Sequence, residues 1–266
     1  MNKTLLMWLL AVIVLPATVV AVLANALLSS VGTWVGLLFG ALYLVAGTLL
    51  FRAGPLWPNA GSLWWLSCVA WGAGMSVALV FPASTGWTNI TDKLGWEPVA
   101  ASFSGAYPEE LSKAFGVVII LYAFRKLNRP WHGFVTGGLV GLGFEVHENV
   151  IYGATGALLD PNSDFNGAVE MWFTRMVAGP GLHIVFTALA GWGIGLAMFR
   201  RDSLRGLWWV VAGLLLHFVW NILWPSEFWL VVHYVALTIL IYPLFIWVYW
   251  QAVRAKKTDN SYVLLA

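Results

Sequence analysis

The sequence predicts an all-α, polytopic membrane helical bundle of about eight transmembrane helices with both termini cytoplasmic. Three observations carry this. The 266 residues are 60% hydrophobic and only 10% charged, whereas a soluble domain holds about 25% charged residues. Eight apolar stretches reach or approach the roughly 17–25 residues that a spanning helix needs. Positive charge divides unevenly between the connections, which sets an orientation. Residues 1–266 therefore read as a single integral membrane domain.

The stretches lie at 5–28, 34–51, 63–81, 110–124, 133–153, 182–199, 207–223 and 228–253. Trp64, Trp65, Trp96, Trp131, Trp172, Trp208, Trp209, Trp224 and Trp229 mark their ends as interfacial belts. The first stretch follows Lys3 and precedes Ala24-Asn25-Ala26, which looks like a signal-peptide cleavage site. Its apolar run is longer than the 7–15 residues of a signal core, so it reads as a retained helix. Connections 82–108 and 154–181 are expected to be long loops, rich in Gly, Pro, Asn or Ser.

Alternating the connections across the membrane places eleven Lys and Arg on one side. Only Lys93 and Arg175 fall on the other, and Lys113 lies within a span. The richer side, with both termini, is cytoplasmic by the positive-inside rule. No basic tract suggests nucleic acid. Cys68 stands alone, which excludes a disulfide framework or a Cys-based metal motif.

Five ionisable residues occupy or border these spans: Glu109, Glu110, Glu148, His183 and His217. Each costs about 2.5–3.5 kcal/mol at the membrane centre on insertion scales. The orientation places Glu109 and Glu110 at the outer start of the fourth span and His183 at the outer mouth of the sixth. At 1.5 Å per residue, Glu148 lies ~7 Å and His217 ~9 Å below the outer ends of their helices. All five share the outer third of the bilayer, although orientation was drawn from loop charge alone.

Helical spacing adds partners. Glu109 and Lys113 are i,i+4 and can pair; Phe144 shares a face with Glu148, Thr187 with His183, and Asn221 with His217. Glu145 and His147 flank Glu148 and are expected to point elsewhere. Each motif also has an ordinary reading. Pro108-Glu109-Glu110 suits a helix start, His183 suits an interface, and His217 with Asn221 suits interhelical hydrogen bonding. Packing residues, however, have no reason to share one depth.

Absences narrow the chemistry. His147-Glu148 is followed by Ile151 where a His-Glu-x-x-His zinc helix needs its second His. Every Asp lies in a connection, so no diaspartyl pair forms within the spans. No Ser sits in a recognisable nucleophile motif. Carboxylate and imidazole remain, a pairing that activates water directly or through a bound metal.

Glu109-Glu110-x-x-Lys113, Phe144-x-x-x-Glu148, His183-x-x-x-Thr187 and His217-x-x-x-Asn221 resemble, in order, the motifs of the PrsW family. These are bacterial intramembrane proteases distantly similar to the CAAX-processing and bacteriocin-immunity (CPBP) family. The resemblance covers residues 107–223, the expected catalytic helix core. It implies cleavage of a membrane-bound protein, such as an anti-sigma factor, at the bacterial cytoplasmic membrane. It matches Glu109, Glu110, His183 and His217 to the family's functional residues. Where CPBP relatives carry His in the second motif, this chain has Glu148. The resemblance admits a metallo-type enzyme, with zinc held by His183, His217 and Glu148, or a glutamic-type enzyme with no metal. On either, Glu109 or Glu110 with Glu148 deprotonates a water, His183 is acid, base or ligand, and His217 with Asn221 stabilises the oxyanion; Lys113 and Thr187 support them. The competing classes are an ion- or proton-coupled transporter, which also uses intramembrane carboxylates, and a non-catalytic membrane immunity protein. A transporter should show a polar path through the cytoplasmic half or an inverted repeat, and the sequence displays neither.

Overall fold

The computed structural model describes residues 2–262, and among them the chain is helical with no strand. The helices are α1 (Lys3–Leu28), α2 (Ser30–Ala53), α3 (Ser62–Ala70), α4 (Val77–Leu94), α5 (Tyr107–Ala123), α6 (Pro130–Leu159), α7 (Asp164–Ala178), α8 (Leu182–Arg200), α9 (Ser203–Trp220) and α10 (Glu227–Thr258). A π-helical stretch, Trp71–Ser76, joins α3 to α4, and a second, Ser102–Ala106, runs directly into α5. Among the described residues, six helical runs are long and apolar enough to cross a membrane: α1, α2, α3 with α4, α8, α9 and α10. The other two expected spans, α5 and α6, carry most of the ionisable groups. They gain their shielding from neighbouring helices.

The centre is α6. It is buried on nearly every side, packed against α8, α2, α7, α3 and α5. A helix with no polar face is a core helix, and glycine lets its neighbours approach. Gly133, Gly137 and Gly141 recur every four residues and lie against the α8 backbone at Gly191, Thr187 and His183. Such small-residue seams are how membrane helices pack without hydrophobic drive. A side chain at Gly141 would collide with the His183 carbonyl. Gly141→Ala is therefore expected to separate α6 from α8 and cost about 1–3 kcal/mol of stability. A lower unfolding midpoint in detergent would register this; an unchanged midpoint would mean that the seam yields freely.

Two expected loops are largely helical. Residues 82–94 continue α4, with Pro82 inside the helix, and helical turns resume at Glu97–Val99 before the second π stretch. Proline and glycine do not end a helix whose freed backbone groups find partners in a packed bundle. Within 154–181, α6 extends to Leu159 and α7 follows, capped by the Ser163 hydroxyl accepting from Asn166 N–H (3.3 Å). At 15 residues, α7 is too short to span. The expected seventh span also ends early, at Trp220, because the Leu223 amide donates to the Pro98 carbonyl (2.9 Å) instead of continuing the helix.

Both ends of the bundle are tied. Ser29, the single residue between α1 and α2, accepts from Gly32 N–H (2.9 Å) and donates to Asp164 of α7 (2.6 Å). Near the start of α6, Arg129 donates to Asp259 (2.7 Å) and the His132 ring meets the Tyr262 hydroxyl (3.1 Å). The Ser261 hydroxyl and the Arg129 guanidinium hold the Asp259 carboxyl down to about 2. The chain after α10 thus grips the helix that carries Glu148.

Candidate active site

The structure brings all five expected residues together. Glu109 and Glu110 occupy the first turn of α5, Glu148 the second half of α6, His183 the first turn of α8 and His217 the last turn of α9. Pro108-Glu109-Glu110 is not a free helix start, since the π stretch leads into it without a break. π-Helical turns recur at functional sites because they re-aim side chains.

Two layers form. A cleft of about 320 Å³ is lined by Glu109, Glu148, His183, His217 and Asn221, with Arg175 on its wall. Behind it, Glu110, Lys113 and Thr187 are buried. Glu110 Oε1 accepts from Lys113 Nζ (2.7 Å) and meets His217 Nδ1 (2.8 Å), while Thr187 donates to Oε2 (3.5 Å). Glu110 therefore orients His217 from behind, as a carboxylate fixes the tautomer of a working imidazole. With Nδ1–H donated to Glu110, Nε2 is the ring nitrogen that Glu110 leaves unengaged. The ring also stacks on Phe186, with centroids 4.9 Å apart.

Lys113 reaches further than its expected pairing with Glu109. Its ammonium lies 2.7 Å from Glu110, 2.9 Å from His183 Nδ1 and 3.6 Å from Glu109 Oε2. It also sits 4.2 Å from the centre of the Phe144 ring, which is how the Phe144 motif enters the site. His183 is bound on both sides: Nδ1 faces Lys113 and Nε2 meets Glu148 Oε2 at 2.8 Å. An ammonium donates only, so Nδ1 accepts and Nε2–H donates to Glu148.

Glu109 differs from the others. Its Oε2 is buried and has no hydrogen-bond partner among the described residues, yet lies 3.7 Å from His183 Nδ1 and 4.0 Å from His217 Nδ1. A buried, unpartnered carboxylate oxygen is costly unless something else binds there. Asn221, at the end of α9, lines the same cleft and donates to the Ala101 carbonyl (3.3 Å).

Two contributors escape the sequence reading. Arg175, in a segment read as loop, donates to Glu148 Oε2 and to Asn149 Oδ1. Glu145 lines the cleft as well. A three-residue step leaves it only about 60° from Glu148 around the helix, so the expectation that it points away fails by the helical period itself. Glu145 Oε1 accepts from the Tyr43 hydroxyl (2.8 Å) and from Gly181 N–H (2.9 Å). Gly181 has φ +73°, a conformation natural to glycine, and the turn it closes launches α8 with His183 in its first turn. His147 points away from the cleft lining, as expected.

Metal fit can be judged from donors and charge. Glu109, Glu110, His183 and His217 offer ligand atoms all within 4.8 Å of one another. Two imidazoles with carboxylates suit zinc. Glu148, expected among the ligands, lies outside this set and is engaged by Arg175 and His183. Glu109, Glu110, Glu145 and Glu148 stand against Lys113 and Arg175, an excess of two negative charges that one divalent ion or two protons would balance. The residues fit a dication, although Lys113 already contacts two of them, Glu110 and His183.

The model of the family described as PrsW family intramembrane metalloprotease matches residues 61–248. A protein named Protease PrsW from Geobacillus kaustophilus (strain HTA426) is 29% identical over 191 residues, covering 70% of this chain and 76% of the relative. Another Protease PrsW, from Bacillus subtilis (strain 168), is 26% identical over 193 residues, covering 70% and 80%. No solved structure matches.

Proposed function

This chain belongs to the PrsW family of intramembrane proteases, and from that premise we propose that it hydrolyses a peptide bond of a membrane-anchored protein near the extracytoplasmic face. The substrate is a single-span or lipid-facing protein of the bacterial cytoplasmic membrane, for which an anti-sigma factor is the model. Residues 107–223 form the catalytic core, assisted by Tyr43 from outside it.

The observation that carries this reading is Glu109 in the cleft lining, whose buried Oε2 has no hydrogen-bond partner among the described residues and lies 3.6 Å from Lys113, 3.7 Å from His183 and 4.0 Å from His217. A water held there gives one proton to Glu109 as its oxygen bonds to the scissile carbonyl carbon. The carbonyl π electrons move onto its oxygen, where the Asn221 amide and a protonated His217 Nε2 donate to the developing charge. Glu110 accepts from His217 Nδ1–H and keeps that ring aimed. Collapse of the intermediate breaks the C–N bond, and Glu109 returns its proton to the leaving amine. A zinc ion held by Glu110, His183 and His217 would add Lewis-acid polarisation of water and carbonyl and leave Glu109 as the base. Lys113, in its absence, supplies the positive charge against the acidic pair.

The test is co-reconstitution with a single-span reporter protein in proteoliposomes, with elemental analysis of the purified enzyme and chelator treatment. Cleavage by the wild type, lost in Glu109→Gln, supports the reading; chelator sensitivity with about one bound zinc assigns the metallo-type. Proton or cation flux without cleavage would replace it with a carrier, and neither activity would favour an immunity-type protein.

A further inference from the structure

Arg175 occupies the last turn of α7, the short helix that lies over the cleft. Its guanidinium makes three contacts on one face of α6. The terminal nitrogen donates to Glu148 Oε2, Nε donates to Asn149 Oδ1, and the plane covers the Tyr152 ring with 4.0 Å to its centre. The fork is geometrically specific, as only guanidinium can be at such a site. The oxygen it holds is the same Glu148 Oε2 that receives His183 Nε2–H at 2.8 Å.

Anchoring α7 does not require this arginine. Trp172 is buried and meets Phe39 edge-on at 5.8 Å. Gly167 packs backbone to backbone on Gly156 of α6, and Asp164 ties the other end of α7 to Ser29. Phe165, Phe173 and Val177 on the outer side are exposed apolar residues suited to lipid. Arg175 points the opposite way, into the cleft. A polar residue spent there, on a helix already fixed by packing, serves the site.

We propose that Arg175 is a positioning residue for His183. It fixes one oxygen of Glu148; Glu148 then accepts from Nε2–H; and this holds the ring with Nδ1, the nitrogen that accepts from Lys113, turned toward Glu109. The chain of contacts crosses from α7 to α6 to α8, so the orientation of His183 depends on α7 being seated. This rests on the protease reading above, in which His183 flanks the attacking water.

The experiment uses the full-length protein and the single-span reporter, with Arg175→Gln, Arg175→Lys and Glu148→Gln alone and Arg175→Gln combined with Glu148→Gln. Arg175→Gln should lower kcat about 10–100-fold, as loss of an outer partner of a working histidine does, with KM nearly unchanged. Arg175→Lys, keeping charge without the fork, should recover part of that loss. The double variant should be no slower than Glu148→Gln alone. Independently of activity, ¹⁵N-histidine spectra should show His183 as the Nε2–H tautomer in both proteins, because Lys113 still donates to Nδ1, with the Nε2–H resonance displaced in Arg175→Gln as its bond to Glu148 loosens. A change in KM alone, additive losses in the double variant, or an unmoved His183 Nε2–H resonance would overturn the proposal. A wild type that never cleaves, but whose His183 Nε2–H resonance still responds to Arg175→Gln, would refute the protease reading and leave the positioning role standing.

Discussion

His217→Ala is expected to lower cleavage of a reconstituted substrate by about 10²–10³-fold, the scale of losing a group that stabilises the oxyanion. Insertion and folding should survive. The ring is packed on Phe186, but it belongs to the last turn of α9 and the helix below it is unaffected. Glu110→Ala should fall nearly as far, because the ring then loses the carboxylate on Nδ1. The two losses should not add, since Glu110 acts through His217. Initial rates for both single variants and the double, with monodispersity in detergent as the control for folding, decide it. A His217→Ala protein with full activity would remove His217 from the site.

Lys113→Met should have the largest effect on stability. The ammonium is 0% exposed and lies within 3.6 Å of two carboxylates and His183. Removing one partner of a buried ion pair costs about 3–5 kcal/mol, because the other charge stays buried and uncompensated. The expected result is a marked drop in yield and in the thermal unfolding midpoint. Adding Glu110→Gln should restore much of the midpoint, though not activity, since it removes the stranded charge. If Lys113→Met is as stable as the wild type, the excess of carboxylates over cations is being met by something other than this lysine.

Much of this architecture is legible in the chain itself. Apolar length located α1, α2, α8 and α10, and loop charge put the five ionisable residues at one level, where the helices do bring them together. The four motifs fall on four helices around one cleft. What escaped did so for identifiable reasons. Composition read 154–181 as loop, yet Ser163 is a helix cap and Arg175 is one of only two cations on the charge-poor side. An isolated arginine there is itself a signal. Glu145 was hidden by a step of three residues, which nearly closes a helical turn. The pairing of Lys113 with Glu110 and His183 needed the third dimension, because i,i+4 spacing favours Glu109 equally well. The glycines of α6 carry no chemistry and so drew no notice, although they set how near α8 can come.

That close approach also decides which molecule must change shape during turnover. With backbone against backbone from Gly133 to Gly141, α6 and α8 have no side-chain layer to slide upon, and the framework behind His183 is stiff. A spanning substrate presents its peptide bonds already hydrogen-bonded within its own helix, where no nucleophile can reach the carbonyl carbon. The local unwinding therefore falls to the substrate. Polar groups in the cleft can accept the backbone amides that unwinding sets loose, and hydrocarbon cannot. Selection among membrane proteins would then follow how easily a segment frays: stretches weakened by glycine or proline near the outer interface should be cut, and the same segment stiffened with leucine and alanine should be spared.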